Sequence, residues 1–160
     1  FLRDLARVCS DGKYGARPMK VGIVDTRYEI AGCVRGAPQY DVGSRTDVRS
    51  GGKKADGIRA MLLTMSPEVI VTDEIGACGE ALAIMDAHNS GVAVLASAHA
   101  PALSELAMRP VMAALLRERT FMRYVLLGRS RGVGTVEAIF NARGERMKLG
   151  EQVWQKQLRS

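Results

Sequence analysis

Two carboxylates, Asp73 and Glu74, stand side by side directly after the apolar, β-branched run Val69–Thr72. A run of that kind is of strand type and suits a strand buried on both faces. An Asp-Glu pair at the carboxyl edge of such a strand has a use in phosphoryl transfer. The Asp can hold Mg²⁺ through its water shell, and the Glu can polarise a water for attack on a terminal phosphate. Adjacent carboxylates repel each other unless a cation is near, so the pair is costly without one. The plain alternative is that one carboxylate caps the following helix, where negative charge is favourable, and the other faces solvent.

Three further groups fall near strand ends. His99 closes the run GVAVLASAH, where it could report a phosphate by hydrogen bonding, with Ser97 or Ser104 as neighbours; a lone histidine at a strand end is more often a structural hydrogen bonder, and its place beside the Asp73-Glu74 strand favours the phosphate role. Asp25 and Glu29, four residues apart in VDTRYE, bring a second carboxylate pair to the same edge, unless they pair with Arg27 or Arg35. Arg27, Arg35 and Arg45 are candidates for reaching a phosphate across a subunit boundary, because only arginine offers a bidentate fork. Each is also compatible with a solvated loop.

The charge pattern supports a search for partners to these carboxylates. The chain of 160 residues has a net charge of +6. Residues 1–60 hold 12 Lys/Arg against 7 Asp/Glu, residues 61–100 hold none against 5, and residues 101–160 hold 11 against 5. A segment with no basic residue between two basic ones suggests carboxylates facing arginines from elsewhere in the fold; basic faces that only aid solubility would give the same numbers.

The elements that must position these groups follow from periodicity. FLRDLARVCSDG reads as a helix ending at Gly12. It opens on Phe1 rather than Met and as if in mid-helix, so an upstream extension is expected. MKVGIVD (19–25) is a strand, residues 26–52 are an irregular loop of functional or partly disordered type, and KKADGIRAMLLTMS is a helix stopped by Ser66-Pro67. Then come strand EVIVTDE, a helix over about 79–89, strand GVAVLASAH, a helical segment with Leu103 and Leu106, and a second helix from Pro110. FMRYVLL is read as a fourth main strand, and GRSRGVGTVEAIFNARGERMKL as a hairpin turning at 141–144. The four main strands would end in Asp25, Asp73-Glu74, Ser97-Ala98-His99 and Leu127-Gly128-Arg129. Alternating strands and helices predict an α/β fold with a mainly parallel sheet covered on both faces. Ligands in such sheets bind at the carboxyl ends of the strands.

Composition excludes several classes. No apolar run approaches the ~20 residues of a membrane span, and no signal-peptide pattern is visible. Cys9, Cys33 and Cys78 make no CxxC pair and no zinc spacing with the histidines, so a reduced, cytosolic setting with buried or incidental thiols is expected.

The blocks VGIVDTRYEIAGCVRG, DVGSRTDV, MSPEVIVTDEIG, GVAVLASAHA and YVLLGRSRGVGTVEAIFNARG, in this order and spacing, resemble the stage III sporulation protein AA family. That family is a branch of the RecA-like secretion ATPases. The resemblance covers about residues 1–149 and implies a RecA-like P-loop NTPase core there, with a C-terminal tail over 150–160. It implies that Asp25 and Glu29 match the acidic box, Asp73 and Glu74 the Walker B motif, and His99 the histidine box. The glycine-rich phosphate loop that should stand before FLRDLAR is absent from these residues, and with it the strand that is central in the fold, which would leave two neighbouring edges unpaired. Ala77-Cys78-Gly79 also replaces a run that is more polar in many relatives.

What the resemblance implies is a ring ATPase, a hexamer, binding ATP and Mg²⁺ between subunits: Asp73 holds the metal and Glu74 activates water. His99 couples phosphate state to movement. Its setting would be sporulation, at the cytosolic, mother-cell side of a membrane, with membrane subunits of a secretion-like channel as partners. The alternative is a RecA-like scaffold that keeps the nucleotide pocket, hydrolyses little and docks to membrane partners. A nucleic-acid motor draws on the basic charge and GRSRG, but 5% aromatic residues leave few stacking platforms, so nucleic acid is not expected. Trp154 in the tail is expected to pack on the core or on a partner.

Overall fold

Side chains alternate between the two faces of an extended strand, and the central strands of this chain have apolar residues for both. The computed structural model describes residues 1–148. Strands β1 (Val21–Asp25) and β3 (Val69–Thr72) are buried at every position. Val21, Ile23, Val69 and Val71 join one core cluster, and Val24 and Ile70 join the other. With β2 (Thr46–Ser50) and β4 (Ala93–Ala96) they form a parallel sheet of order β2-β1-β3-β4.

Helix α1 (Leu2–Asp11) covers one face through Ala6 and Leu2, joined by Ile30, Ala31 and Val42 from the loop after β1. It ends where expected. Gly12 takes the left-handed conformation at φ 68° and returns its N–H to the Val8 carbonyl, and a Cβ there would lie 2.5 Å from the Pro18 nitrogen. The other face is covered by α2 (Lys54–Met65), α3 (Cys78–Asn89) and the short pair α4 (Leu103–Ala107) and α5 (Pro110–Arg117). Ile58, Met61, Ile84, Ala87, Met112 and Leu115 pack there into one cluster. Glu80 secures the start of α3 by accepting the N–H groups of Gly76 (2.8 Å) and Ala77 (3.1 Å).

Two expectations need correction. Residues 26–52 are not all loop, because β2 lies within them and pairs in parallel with β1 from Val21↔Thr46 to Asp25↔Ser50. An edge strand half open to water needs no apolar run, and TDVRS has none. The fourth strand is also misplaced: β5 (Arg123–Gly128) is not in the parallel sheet but pairs antiparallel with β6 (Thr135–Asn141), which pairs with β7 (Arg146–Met147). The short connection from Arg129 to Gly134 permits only antiparallel pairing. The C-terminal hairpin stands as expected, and its turn is closed by Asn141 Oδ1, which accepts the N–H groups of Arg143 (2.9 Å) and Glu145 (3.1 Å). The expected tail over 150–160, with Trp154, lies outside the described residues. Among these, Cys9, Cys33 and Cys78 are all free thiols, and no helix is long and apolar enough to cross a membrane.

Among the described residues β4 pairs only with β3, and β5 only with β6. Each therefore keeps one open edge.

Two outcomes test this packing. Gly57 sits where α2 crosses β1, and a Cβ there would lie 2.7 Å from Val24 Cγ1; Gly57→Val should cost about 1–3 kcal/mol by overpacking, read as a lower urea midpoint. At the opposite edge of the sheet, Arg17 and the Lys20 N–H hold the Glu68 carboxylate, lowering its pKa from 4.5 to about 2. A depressed folded value means that the contribution is whole above about pH 4.5 and is lost as pH falls toward 2. Glu68→Gln should lower the unfolding midpoint near neutrality, where the contribution is whole, and flatten its pH dependence over that window.

Candidate functional site

Strand β3 delivers Asp73 and Glu74 to the carboxyl edge of the sheet, and the two part company there. Asp73 is 5% exposed, turned inward. Its partner is Lys54, the first residue of α2, whose Nζ lies 2.7 Å from Asp73 Oδ1. This charge contact lies outside hydrogen-bond geometry, and neither carboxylate oxygen has a hydrogen-bond partner. Nζ donates instead to the Asp73 carbonyl at 3.1 Å and to the Glu74 carbonyl. The chain reaches this position from β2 through Gly51 and Gly52, both left-handed at φ 72° and 74°, with the Gly51 N–H bound to the Asp25 carbonyl at 3.1 Å.

Glu74 turns outward. Arg27 Nη1 donates to Glu74 Oε2 at 2.8 Å while Arg27 Nε lies 3.4 Å from Glu29 Oε1, so a single guanidinium joins the carboxylates of two different strand ends. Both pairs are exposed. Magnitudes separate the two halves of the site: an exposed pair contributes about 0–1 kcal/mol, whereas removing one partner of a buried pair costs about 3–5 kcal/mol. Glu74 is thus held loosely and Asp73 firmly.

The loop that carries Arg27 and Glu29 is built by Asp25. That carboxylate is fully buried, and it accepts the N–H groups of Glu29 (2.9 Å), Ile30 (3.1 Å) and Ala31 (2.8 Å). Both oxygens are engaged, so Asp25 positions the loop here instead of facing a ligand. From the other side Arg3 of α1 donates to the carbonyls of Ile30 at 2.5 Å and Glu29 at 3.0 Å, and its guanidinium stacks 3.8 Å above the Tyr40 ring.

The open edges of β4 and β5 face one groove of about 740 Å³. Asp73, Glu29 and His99 all line it, as do Val94, Leu126 and Phe1. The ends of β3 and β4 are tied by the Ile75 N–H, which donates to the Ser97 carbonyl at 2.9 Å and so keeps the His99 segment beside Asp73-Glu74. His99 itself is exposed. Tyr124 also lines the groove; its hydroxyl is buried without a hydrogen-bond partner, and burial pushes its pKa up.

Two arginines stay apart from this constellation. Arg45 precedes β2 at the amino edge of the sheet, where its N–H donates to Ser10 Oγ at 2.7 Å and its carbonyl accepts from Val21 at 3.0 Å. Arg35 is exposed on a tight turn closed by Val34 and Ala37, at φ 51° ahead of Gly36 at φ 82°. Lys54 is hidden in the sequence because KK at a helix start looks solvated; the signal was its place two residues after a Gly-Gly turn. No three His, Cys, Asp or Glu side chains gather as a metal cage among the described residues. Asp73, a groove-lining residue whose carboxylate oxygens are buried without hydrogen-bond partners, has the donor type of a hydrated Mg²⁺ that would take its other ligands from water and phosphate.

A family model described as sporulation stage III, protein AA, matches residues 1–147. The chain belongs to that family. Stage III sporulation protein AA of Bacillus subtilis (strain 168) is 48% identical over 144 residues, which are 90% of this chain and 47% of the relative. Two proteins named uncharacterized protein ycf45 are more distant. That of Porphyra purpurea is 33% identical over 129 residues, 79% of this chain and 21% of its own length. That of Cyanidium caldarium is 29% identical over 120 residues, 72% of this chain and 34% of its own length. The chain therefore spans less than half the length of each of these relatives.

The Asp25 cradle makes a direct prediction. Asp25→Ala leaves three backbone donors without their acceptor and should cost at least about 3 kcal/mol in denaturant unfolding, at about 1–3 kcal/mol per orphaned buried group; Asp25→Asn, with one acceptor oxygen left, should fall between that variant and the wild type.

Proposed function

We propose that the protein carrying these residues is an ATPase of the secretion type that works in sporulation. It binds ATP with Mg²⁺ between the subunits of a ring, a hexamer, and powers or assembles a channel complex at the cytosolic, mother-cell side of a membrane. The observation that carries this reading is the Asp73 carboxylate. It is buried at the carboxyl end of a parallel strand flanked on both sides, belongs to a residue that lines the groove, accepts no hydrogen bond, and has a loosely held glutamate next to it. Membership of a sporulation family supports the setting.

In this reading Asp73 holds the metal ion through water, and Mg²⁺, when bound, offsets charge on the phosphates. Glu74 orients and polarises the attacking water once it leaves Arg27, an exchange that costs little for an exposed ion pair. Glu29 shares that arginine and keeps it near when Glu74 is released. His99, beside the same strand ends, senses the terminal phosphate and passes its presence to the β4 segment. Arg27, on the loop built by Asp25, is available to an anionic ligand, and Arg35 and Arg45, remote from Asp73 in this chain, serve a neighbouring subunit. The open edges of β4 and β5 suit one more strand leading into a phosphate-binding loop. Membrane subunits of the channel are the proposed partners, and nucleic acid is not.

A second reading shares the pocket but not the turnover. Arg27 engages Glu74 at 2.8 Å, and a glutamate that stays so engaged would leave a nucleotide-binding scaffold that docks to membrane partners.

ATP turnover by the full-length protein separates the two. The ATPase reading expects Glu74→Gln to lose about 10²–10⁴-fold in kcat, the usual share of a general base, with nucleotide binding retained. Equal, slow turnover by wild type and variant would leave the scaffold.

A further inference from the structure

Lys54 stands where neither its charge nor its burial is expected. The amino end of a helix carries partial positive charge and disfavours a cation in its first turn, yet Lys54 opens α2. Its side chain is 5% exposed, and a buried ammonium is costly unless it is paired and hydrogen-bonded. Both costs are offset at one place. Nζ donates to the Asp73 carbonyl at 3.1 Å and to the Glu74 carbonyl, and makes a charge contact with Asp73 Oδ1 at 2.7 Å. Asp73 is not matched in the same way, because neither Oδ1 nor Oδ2 accepts a hydrogen bond.

From this asymmetry we infer that Lys54 is the resident counter-ion of Asp73. Its charge keeps a divalent cation from settling on Asp73 until phosphate oxygens share the coordination. The inference rests on the nucleotide-binding reading above. A carboxylate already neutralised by an ammonium is a weak ligand for a second cation, since two like charges within a few ångströms repel strongly in a partly buried site. Phosphate oxygens supply the negative charge that restores the balance. Cation and nucleotide then enter together, and Lys54, which touches neither, is a positioning residue.

The test is a Mn²⁺ titration of the nucleotide-free, full-length protein, with free ion followed by electron paramagnetic resonance. Lys54→Gln keeps hydrogen-bond donors for the two carbonyls but drops the charge, and should bind Mn²⁺ at least about tenfold more tightly than wild type. Lys54→Arg should stay at the wild-type value, and adding Asp73→Asn to Lys54→Gln should abolish the gain. Equal affinity in wild type and Lys54→Gln overturns the inference. So does a rise in the Tm of the wild-type protein with Mg²⁺ alone, a measurement that needs no variant. ATP turnover stays a separate readout: a Lys54→Gln gain in a protein that hydrolyses no ATP upholds the counter-ion role and removes the ATPase, whereas normal turnover with no gain removes only the counter-ion.

Discussion

A strand that is dry on both faces cannot end in two adjacent carboxylates unless positive charge meets them, and the arrangement of the rest of the molecule follows from that. The charge comes from two directions and at two depths. Lys54 meets Asp73 in the interior, and Arg27 meets Glu74 at the surface. Each cation has its own scaffold. The Gly51–Gly52 turn and the packing of α2 on β1 bring in the lysine, and the three-amide cradle of Asp25, closed by Arg3 from α1, holds the arginine. The sheet and three of its connections converge on one pair of side chains.

Depth gives the two carboxylates different freedom. Neighbours in sequence feel similar fields, but alternation on the strand sends one into the core and the other to water. The inner one is fixed by a pair that is costly to break, and the outer one by a pair that thermal motion opens readily. A site that must keep one group still and let its neighbour move obtains both from a single dipeptide. The groove beside it places His99 and Glu29 within the same walls.

Much of this was legible in the residues. The central strands β1 and β3 announce themselves by unbroken apolar runs, and α1 by its glycine stop. The grouping of Asp73, Glu29 and His99 at one edge follows from strand ends in a parallel sheet. The misreadings share a cause: each depended on a pairing that residue types do not show. β2 is polar because one side of it is open, and only pairing with β1 makes it a strand. β5 has the apolar content of a sheet centre, but its partner β6 lies a short turn away and imposes the antiparallel direction. Asp25 makes its bonds to backbone amides, which leave no side-chain signature, and Lys54 is indistinguishable from a solvated lysine until α2 is laid on the sheet.

The two hydrogen-bond ladders have a dynamic consequence. No backbone bond crosses the groove from β4 to β5, so the antiparallel sheet can open while the parallel one stays closed. Cooperative unfolding then has a natural seam, and amide exchange would divide along it, with β1 and β3 among the slowest positions and the outward amides of β4 and β5 among the fastest. The walls of the groove are the least protected part of the sheet framework, and anything that bridges them would fuse two unfolding units into one.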